Sequence, residues 1–345
     1  MQDVCFEVLA ILGSGTHGDV FHCRELIKGK KFVLKRILRK AANRCDSKDE
    51  SVKDFYNRVD CEYHMNRFAW QLAEKYHKTR YFVEPKSLWF EEMNDLEGGD
   101  NTAFITFPSH GGMNLKDFLR VFMRSLKSTE RFNKIAYRII AQVLRAVDFL
   151  NTHNVYHCDL KPPNVLIYKE NHQQITLADV LDDHVQFNIK LIDFGLATVN
   201  PDDALAIYYS RKNQLGPWLI YSLGSSGQIL NEYRTTEYAR DPRSRVHDLC
   251  KEEMRYFSRY ISHTKSGVPL FSPFQMQVFF PWFEIYAVAV IVQLIFDLNC
   301  NPEMLVFRKT NRMSEELYAL ICEMTGPLND RQSALQYAKR FASLE

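Results

Sequence analysis

Val155-Tyr-His-Cys-Asp-Leu-Lys-Pro-Pro-Asn-Val-Leu-Ile167 is the stretch on which the reading of this chain turns. Ahead of it Ile135, Ile139, Val143, Val147 and Leu150 recur at helical spacing, and at its end Val165 to Tyr168 is a short apolar run of strand character. What lies between is a loop carrying an acid (Asp159), a cation (Lys161) and an amide (Asn164). Phosphoryl transfer to a hydroxyl needs such a set: a carboxylate to orient the hydroxyl and take its proton, and positive charge to balance what builds on the phosphoryl oxygens. Asp159 suits the first task and Lys161 part of the second. Asn164 follows Asp159 by five residues, far enough for the loop to turn back, so its amide oxygen can hold a metal that also touches a nucleotide. Pro162 and Pro163 stiffen that turn.

His157, Asp159, Leu160 and Asn164 match the protein-kinase catalytic loop H-R-D-L-x-x-x-N at every position but Cys158. The sequence thus resembles a eukaryotic-type protein kinase, and Lys161 followed by Pro162 resembles the serine/threonine branch of that family. Downstream, Ile189-Lys-Leu-Ile-Asp193-Phe-Gly195 is similar to the family's strand and D-F-G. A carboxylate at a strand end, with glycine behind it for backbone freedom, suits Mg²⁺ held against the β- and γ-phosphates. Leu166 takes the place of the floor under adenine.

Working outward to the amino-terminal third, Phe6 to Leu12 is strand-like and runs into Gly13-Ser-Gly-Thr-His-Gly-Asp-Val20. A lone G-x-G-x-x-G also occurs in dinucleotide folds, where it opens a helix. Here Val20 to Cys23 and Lys31 to Lys35 read instead as two further strands joined by a Gly29 turn, so the loop joins strands, as the kinase glycine-rich loop does. The resemblance implies that Leu12, Gly13, Gly15, Gly18, Val20 and Val33 enclose ATP, and that Lys35, closing Phe32-Val-Leu-Lys, grips its α/β-phosphates. Ser47 and Glu50 form a capping-box pattern, and Val52, Phe55, Val59 and Glu62 then follow along one helix face. Glu62, an acid on an inward stripe, needs a buried cation, and Lys35 is the natural one. Asn66 stands where the family has an apolar residue. The strand Asn101 to Phe107 ends in Pro108-Ser-His-Gly-Gly112, and counting back from the glycines puts Thr106 at the gatekeeper position with the backbone of Phe107 and Ser109 facing adenine.

Bulk properties are ordinary for a soluble globular protein. The 345 residues are 46% hydrophobic and 25% charged, enough for a sizeable core. A net charge of +2 offers no argument for nucleic acid or an anionic membrane as partner. The eight cysteines are scattered, with no C-x-x-C pair, and read as free thiols of a reducing compartment, so an intracellular setting, cytoplasmic or nuclear, is expected. Met1 to Cys5 has neither the basic start nor the apolar core of a signal peptide. Val278 to Phe296 is almost wholly apolar, but Pro281, Glu284 and Gln293 interrupt it and its clean run falls short of the ~20 residues a bilayer needs. A helix buried in a protein core is expected there.

The resemblance thins in the carboxy-terminal half. A polar insert from Lys169 to Asn188 is longer than the family usually has. Glu284 to Val292 resembles the family's buried helix opening with an acid, with Glu in place of Asp. Counting back, Gly267-Val-Pro and Ser272-Pro-Phe274 lie where an enlarged activation segment, 193–274, should end, and Thr235 to Pro242 would end it implausibly early. Neither supplies the A-P-E glutamate that Arg331 would pair with. The residues from Asn200 to Lys265, with a basic-aromatic helical pattern from Arg243 to Tyr260, are expected to form a lid over the large lobe, with a docking surface as the alternative. Cys158 replaces the arginine that commonly meets a phosphorylated activation loop, so activation without such phosphorylation is expected. These departures, with the compact chain, also resemble kinases encoded by large DNA viruses.

The expectation is therefore an α+β, bilobal protein-kinase-like fold over residues 1–345, with a small β-rich lobe to about Pro108 and a larger, mainly helical lobe from 109 on. The resemblance implies transfer of the ATP γ-phosphate to serine or threonine of protein substrates, with Asp159, Lys161 and Asn164 catalytic and Asn164 and Asp193 holding Mg²⁺. A nucleotide-binding pseudokinase scaffold is the first alternative, on Cys158 and the missing acid, and a kinase-like small-molecule phosphotransferase the second.

Overall fold

In a computed structural model the described residues are 5–15, 18–39, 50–91, 101–199, 262–263, 269–270, 273–297, 309–325 and 332–345. Most of the segment 193–274, together with Arg331 and the Thr235 to Pro242 and Gly267 candidates, lies outside them. Two compact units are present, the first comprising residues 1–112, 171–174 and 192–195, the second the remainder. No helix among the described residues is long and apolar enough to cross a membrane.

The first unit is an antiparallel sheet of β1 (Phe6–Gly15), β2 (Gly18–Glu25), β3 (Lys31–Leu38), β4 (Ser87–Glu91) and β5 (Thr102–Pro108), in the order β1-β2-β3-β5-β4. Gly29 sits at φ 66°, the left-handed turn that lets β2 double back into β3. Helix α1 (Val52–Lys75) packs on the sheet. Phe55 and Val59 meet Ile37, Ala103 and Ile105 in a core fringed by Tyr56, Tyr63, Leu88, Phe90 and Phe107. The helix starts differently from the expected capping box: Ser51 is its cap, accepting from the Asp54 amide at 3.1 Å. Ser47 lies outside the described residues, and Glu50 is engaged instead by Arg58, whose Nε donates to it at 2.7 Å. Val52, expected on the inward stripe, is 43% exposed, because burial begins only at Phe55.

The second unit is built on α3 (Thr129–Thr152), in which Ile135, Ile139, Val143, Val147 and Leu150 are all buried. Helices α5 (Pro273–Phe296) and α7 (Ala334–Ser343) pack against it, α6 (Glu315–Met324) lies against α5, and α2 (Leu115–Val121) lies against the small sheet of this unit. Phe296 of α5 packs on Phe132 and Tyr137 of α3. A small antiparallel sheet, β6 (Met113–Asn114), β7 (Val165–Lys169) and β8 (Phe187–Leu191), carries the loops that matter. Two-residue strands β9 (Ser262–His263) and β10 (Pro269–Leu270) pair separately. Helix α5 begins at Pro273, eleven residues before Glu284, so Pro273 and Phe274, expected at the end of the activation segment, lie within that helix. The expected polar insert contains structure of its own. Phe187 and Asn188 already belong to β8, and α4 (Leu177–Leu181) opens with a capping box in which Thr176 and Asp179 satisfy each other's backbone N–H.

Candidate active site

In the first unit the glycine-rich turn is the closed end of the β1–β2 hairpin, with Gly13 opposite Val20, Ser14 opposite Asp19 and Gly15 opposite Gly18. Gly18 is required by the fold itself. Its φ is +136°, and a Cβ there would sit 1.8 Å from the Arg36 carbonyl oxygen. A Cβ on Gly13 would meet nothing within 4 Å among the described residues, so no packing seen there demands a glycine. Asp19 pins the hairpin, accepting from the Ser14 hydroxyl at 2.6 Å and pairing with the Arg36 guanidinium. Those bonds, Ser14 first, hold its carboxyl below the usual range.

Lys35, on β3, donates to Glu62 Oε1 at 2.5 Å and to Asp193 Oδ1 at 2.8 Å. One turn of helix beyond Glu62, the Asn66 amide donates to the Glu62 carbonyl at 2.8 Å, so the polar residue at an expected apolar position is satisfied within its own helix. Burial works against the Lys35 ammonium, but the charges of Asp193 and Glu62 outweigh it and the pKa is raised. Glu62 is raised by its burial, which Lys35 counters. Asp193 is held at φ 65°, a left-handed conformation that Asp tolerates better than most residues. Gly195 keeps the node open, since a Cβ there would come within 3.2 Å of Glu62 Oε2. The ring of Phe194, 2% exposed, packs 6.2 Å from that of Phe82.

The strand register corrects the gatekeeper expectation. Val33 lies opposite Phe107, Leu34 opposite Thr106 and Lys35 opposite Ile105. Opposed residues of antiparallel strands share a face, and neighbours along a strand alternate. Phe107, not Thr106, is therefore on the face of Val33 and Lys35, while Thr106 sits on the other face, its hydroxyl 2.5 Å from that of Ser87. Beyond β5, Ser109 Oγ and His22 Nε2 of β2 are 3.2 Å apart.

In the second unit α3 delivers the chain to Tyr156, which exchanges both backbone hydrogen bonds with Thr198, at 2.9 and 3.0 Å. His157 and Cys158 follow, both buried, with Cys158 at φ 60°. A non-glycine residue rarely adopts that conformation without support. The support is Glu284 of α5, whose Oε1 accepts the amides of His157 and Cys158 at 2.6 and 3.3 Å. Burial pushes the Glu284 carboxyl up to about 8, against the pull of those two amides. Asp159 comes next, its Oδ2 2.8 Å from Lys161 Nζ. The Asn164 amide nitrogen donates to both the Asp159 carbonyl and Asp159 Oδ2, at 2.8 Å each. With that nitrogen so used, the oxygen of Asn164 is the atom left to face a cation. Leu166 lies on β7 opposite Asn114 and Lys190, less buried than its neighbours Val165 and Ile167.

Two residues of consequence had no role in the sequence reading beyond their place. Glu284 is expected from the sequence only as the acid of a buried helix, and its bonding to the loop amides is tertiary. Arg131, on α3, donates to the carbonyls of Val180, Asp182 and Val185, and nothing local in the sequence pairs those positions.

The protein kinase domain family matches residues 6–212, more than half of the chain. Among curated proteins the chain is 30% identical over 169 residues to the cyclin-dependent kinase 4 homolog of Caenorhabditis elegans, covering 49% of this chain and 36% of that protein. It is 24% identical over 239 residues to the dual specificity protein kinase CLK1 of Mus musculus, covering 66% and 44%, and 24% identical over 215 residues to the serine/threonine-protein kinase Nek6 of Oryza sativa subsp. japonica, covering 62% and 32%. The chain thus matches less than half the length of each of these relatives. The chain belongs to the protein kinase family, with that family's bilobal α+β fold.

Proposed function

We propose that this protein transfers the γ-phosphoryl group of ATP to serine or threonine hydroxyls of protein substrates. The observation that carries the reading is the Asp159 cluster: one carboxylate oxygen is contacted by both Lys161 and Asn164, which fixes the direction of the group that must meet the hydroxyl. In the proposed step the substrate oxygen attacks the γ-phosphorus, its proton passes to Asp159, and the bond from phosphorus to the bridging oxygen of ADP breaks. Lys161 offsets charge on the transferred group. Lys35, held by Glu62, orients the α/β-phosphates.

Mg²⁺ fits the donors present, since the oxygens of Asp193 and Asn164 are hard ligands and this ion takes one or two such groups with substrate phosphates completing its shell. When bound, it neutralises β- and γ-phosphate charge. The Lys161-Pro162 pair supports a peptide hydroxyl over a small-molecule acceptor, and the names of relatives such as Nek6 point the same way.

The test is label transfer from γ-labelled ATP with Mg²⁺ and a mixed protein substrate, using wild type and Asp159→Asn. Label on serine or threonine with wild type alone supports the proposal. Folded wild type that binds ATP without transferring it would favour the pseudokinase reading that Cys158 motivates.

A further inference from the structure

Residues 170–186, between β7 and β8, form an insert with a firm base. Lys169 binds Asp179 at 2.8 Å, and the Arg131 guanidinium holds the carbonyls of Val180, Asp182 and Val185 at 3.0, 2.6 and 3.2 Å. Its residues 171–174 group with the first unit, against the segment that follows β5. The approach there is close. A Cβ on Gly111 would lie 2.0 Å from the His172 carbonyl oxygen. The rings of His110 and His172 have centroids 4.9 Å apart and Nδ1 atoms 3.4 Å apart, within reach of a hydrogen bond from whichever ring carries the proton. Both sides of the contact are left-handed, Gly111 at φ 65° and His172 at φ 55°. Glycine adopts that conformation freely, and histidine, though more tolerant of it than most residues, still does so at some cost, which the close packing at His172 offsets.

The register moves the adenine-facing backbone one residue along the chain. With Phe107 beside Val33, the two positions assigned to Phe107 and Ser109 fall on Pro108 and His110. Pro108 has a carbonyl but no N–H, so it can only accept, and His110 supplies the N–H. We propose that His172 is a positioning residue of the nucleotide site, holding the backbone of His110 for its hydrogen bond to the adenine edge. The inference rests on the reading of this protein as an ATP-using kinase. Direction is what a main-chain donor contributes to binding, and a segment ending in a glycine has little stiffness of its own. The His172 main chain and ring supply it from one side of the sequence, as the His22 contact to Ser109 does from β2.

The test measures ADP affinity by calorimetry, and KM and kcat for ATP, in wild type, His172→Gly, Gly111→Ala and Asp183→Ala. His172→Gly keeps the left-handed backbone while removing the ring. It is expected to weaken ADP about 3- to 10-fold and raise KM by a similar factor, the size of one hydrogen bond, with kcat within about twofold. Its thermal midpoint without nucleotide should match wild type. Gly111→Ala should move affinity further in the same direction, and Asp183→Ala, in the same insert, should leave it unchanged. His172→Gly binding ADP as tightly as wild type overturns the proposal, as does a fall in kcat with KM unchanged. Wild type that binds no nucleotide overturns the kinase reading itself, and this inference with it.

Discussion

Among the described residues each unit buries a glutamate beside its candidate site residues, and the two are held in different ways. Glu62 faces the ammonium of Lys35 at 2.5 Å, whereas Glu284 faces two backbone amides, at 2.6 and 3.3 Å. The first arrangement fixes a side chain: Lys35 is drawn to a defined place by opposite charge, and losing either partner leaves a charge stranded in a low-dielectric site. The second fixes the backbone, holding Cys158 in its left-handed conformation so that Asp159 emerges in a set direction. Two amide donors serve that purpose whether the acid is charged or neutral, which is how a carboxyl pushed to about 8 can still organise the loop.

The largest effect belongs to Asp159, the residue that the second arrangement sets in place. Asp159→Asn keeps the shape of the side chain but removes the proton acceptor, and phosphoryl transfer should fall by about 10²- to 10⁴-fold with nucleotide affinity unchanged. A steady-state assay with parallel ADP binding checks it, and retention of a tenth of the activity would remove Asp159 from its role. Next, Lys35→Met strands Glu62, which is 5% exposed, and the loss of a buried partner typically costs about 3–5 kcal/mol. Chemical denaturation should show a large part of that, tempered because the Asp193 side chain is 40% exposed. Lys35→Met together with Glu62→Gln should recover most of the lost stability, and no recovery would mean that the two are not paired.

Glu284 sharpens the contrast through pH. Its folded pKa, about 8, lies above the ordinary 4.5, so over that interval the folded protein keeps a proton that the unfolded chain releases. The stability this acid contributes is full below its unfolded value and declines as pH rises through the folded one. Glu284→Gln retains an acceptor for the amides but cannot ionise. Its stability should therefore gain on wild type between about pH 5 and about pH 8, by a gap on the order of a few kcal/mol at most, read as a rising melting temperature relative to wild type. Parallel melting curves across that range would show the acid to be charged in the fold. The smallest effect concerns β5: Phe107→Ala should change KM for ATP several-fold, Thr106→Ala by less than about twofold. The reverse ranking would put the register one residue out.

What the sequence determined by itself is the family and the candidate site residues that sit on contiguous chain. His157 to Asn164, Asp193 to Gly195 and the hairpin from Gly13 to Gly18 are legible because each reaction task needs particular residue types a few positions apart, and short spacing survives any tertiary arrangement. Helix α3 and Glu62 on its helix were legible for a related reason, since a period of 3.6 residues fixes which side chains share a face. Only the tertiary structure decided what depends on counting across gaps. In a strand one residue reverses the face, so a count back from Gly111 and Gly112 missed Phe107 by a single position and took Thr106 instead. A cap is chosen by where packing starts, which is Ser51 at the edge of the Phe55 and Val59 core and not the pattern at Ser47. The partners of Glu284, Arg131 and Gly111 lie 126 and 127, 49 to 54, and 61 residues away in the chain, respectively. Such meetings are set by how helices and strands stack, and no local pattern records them.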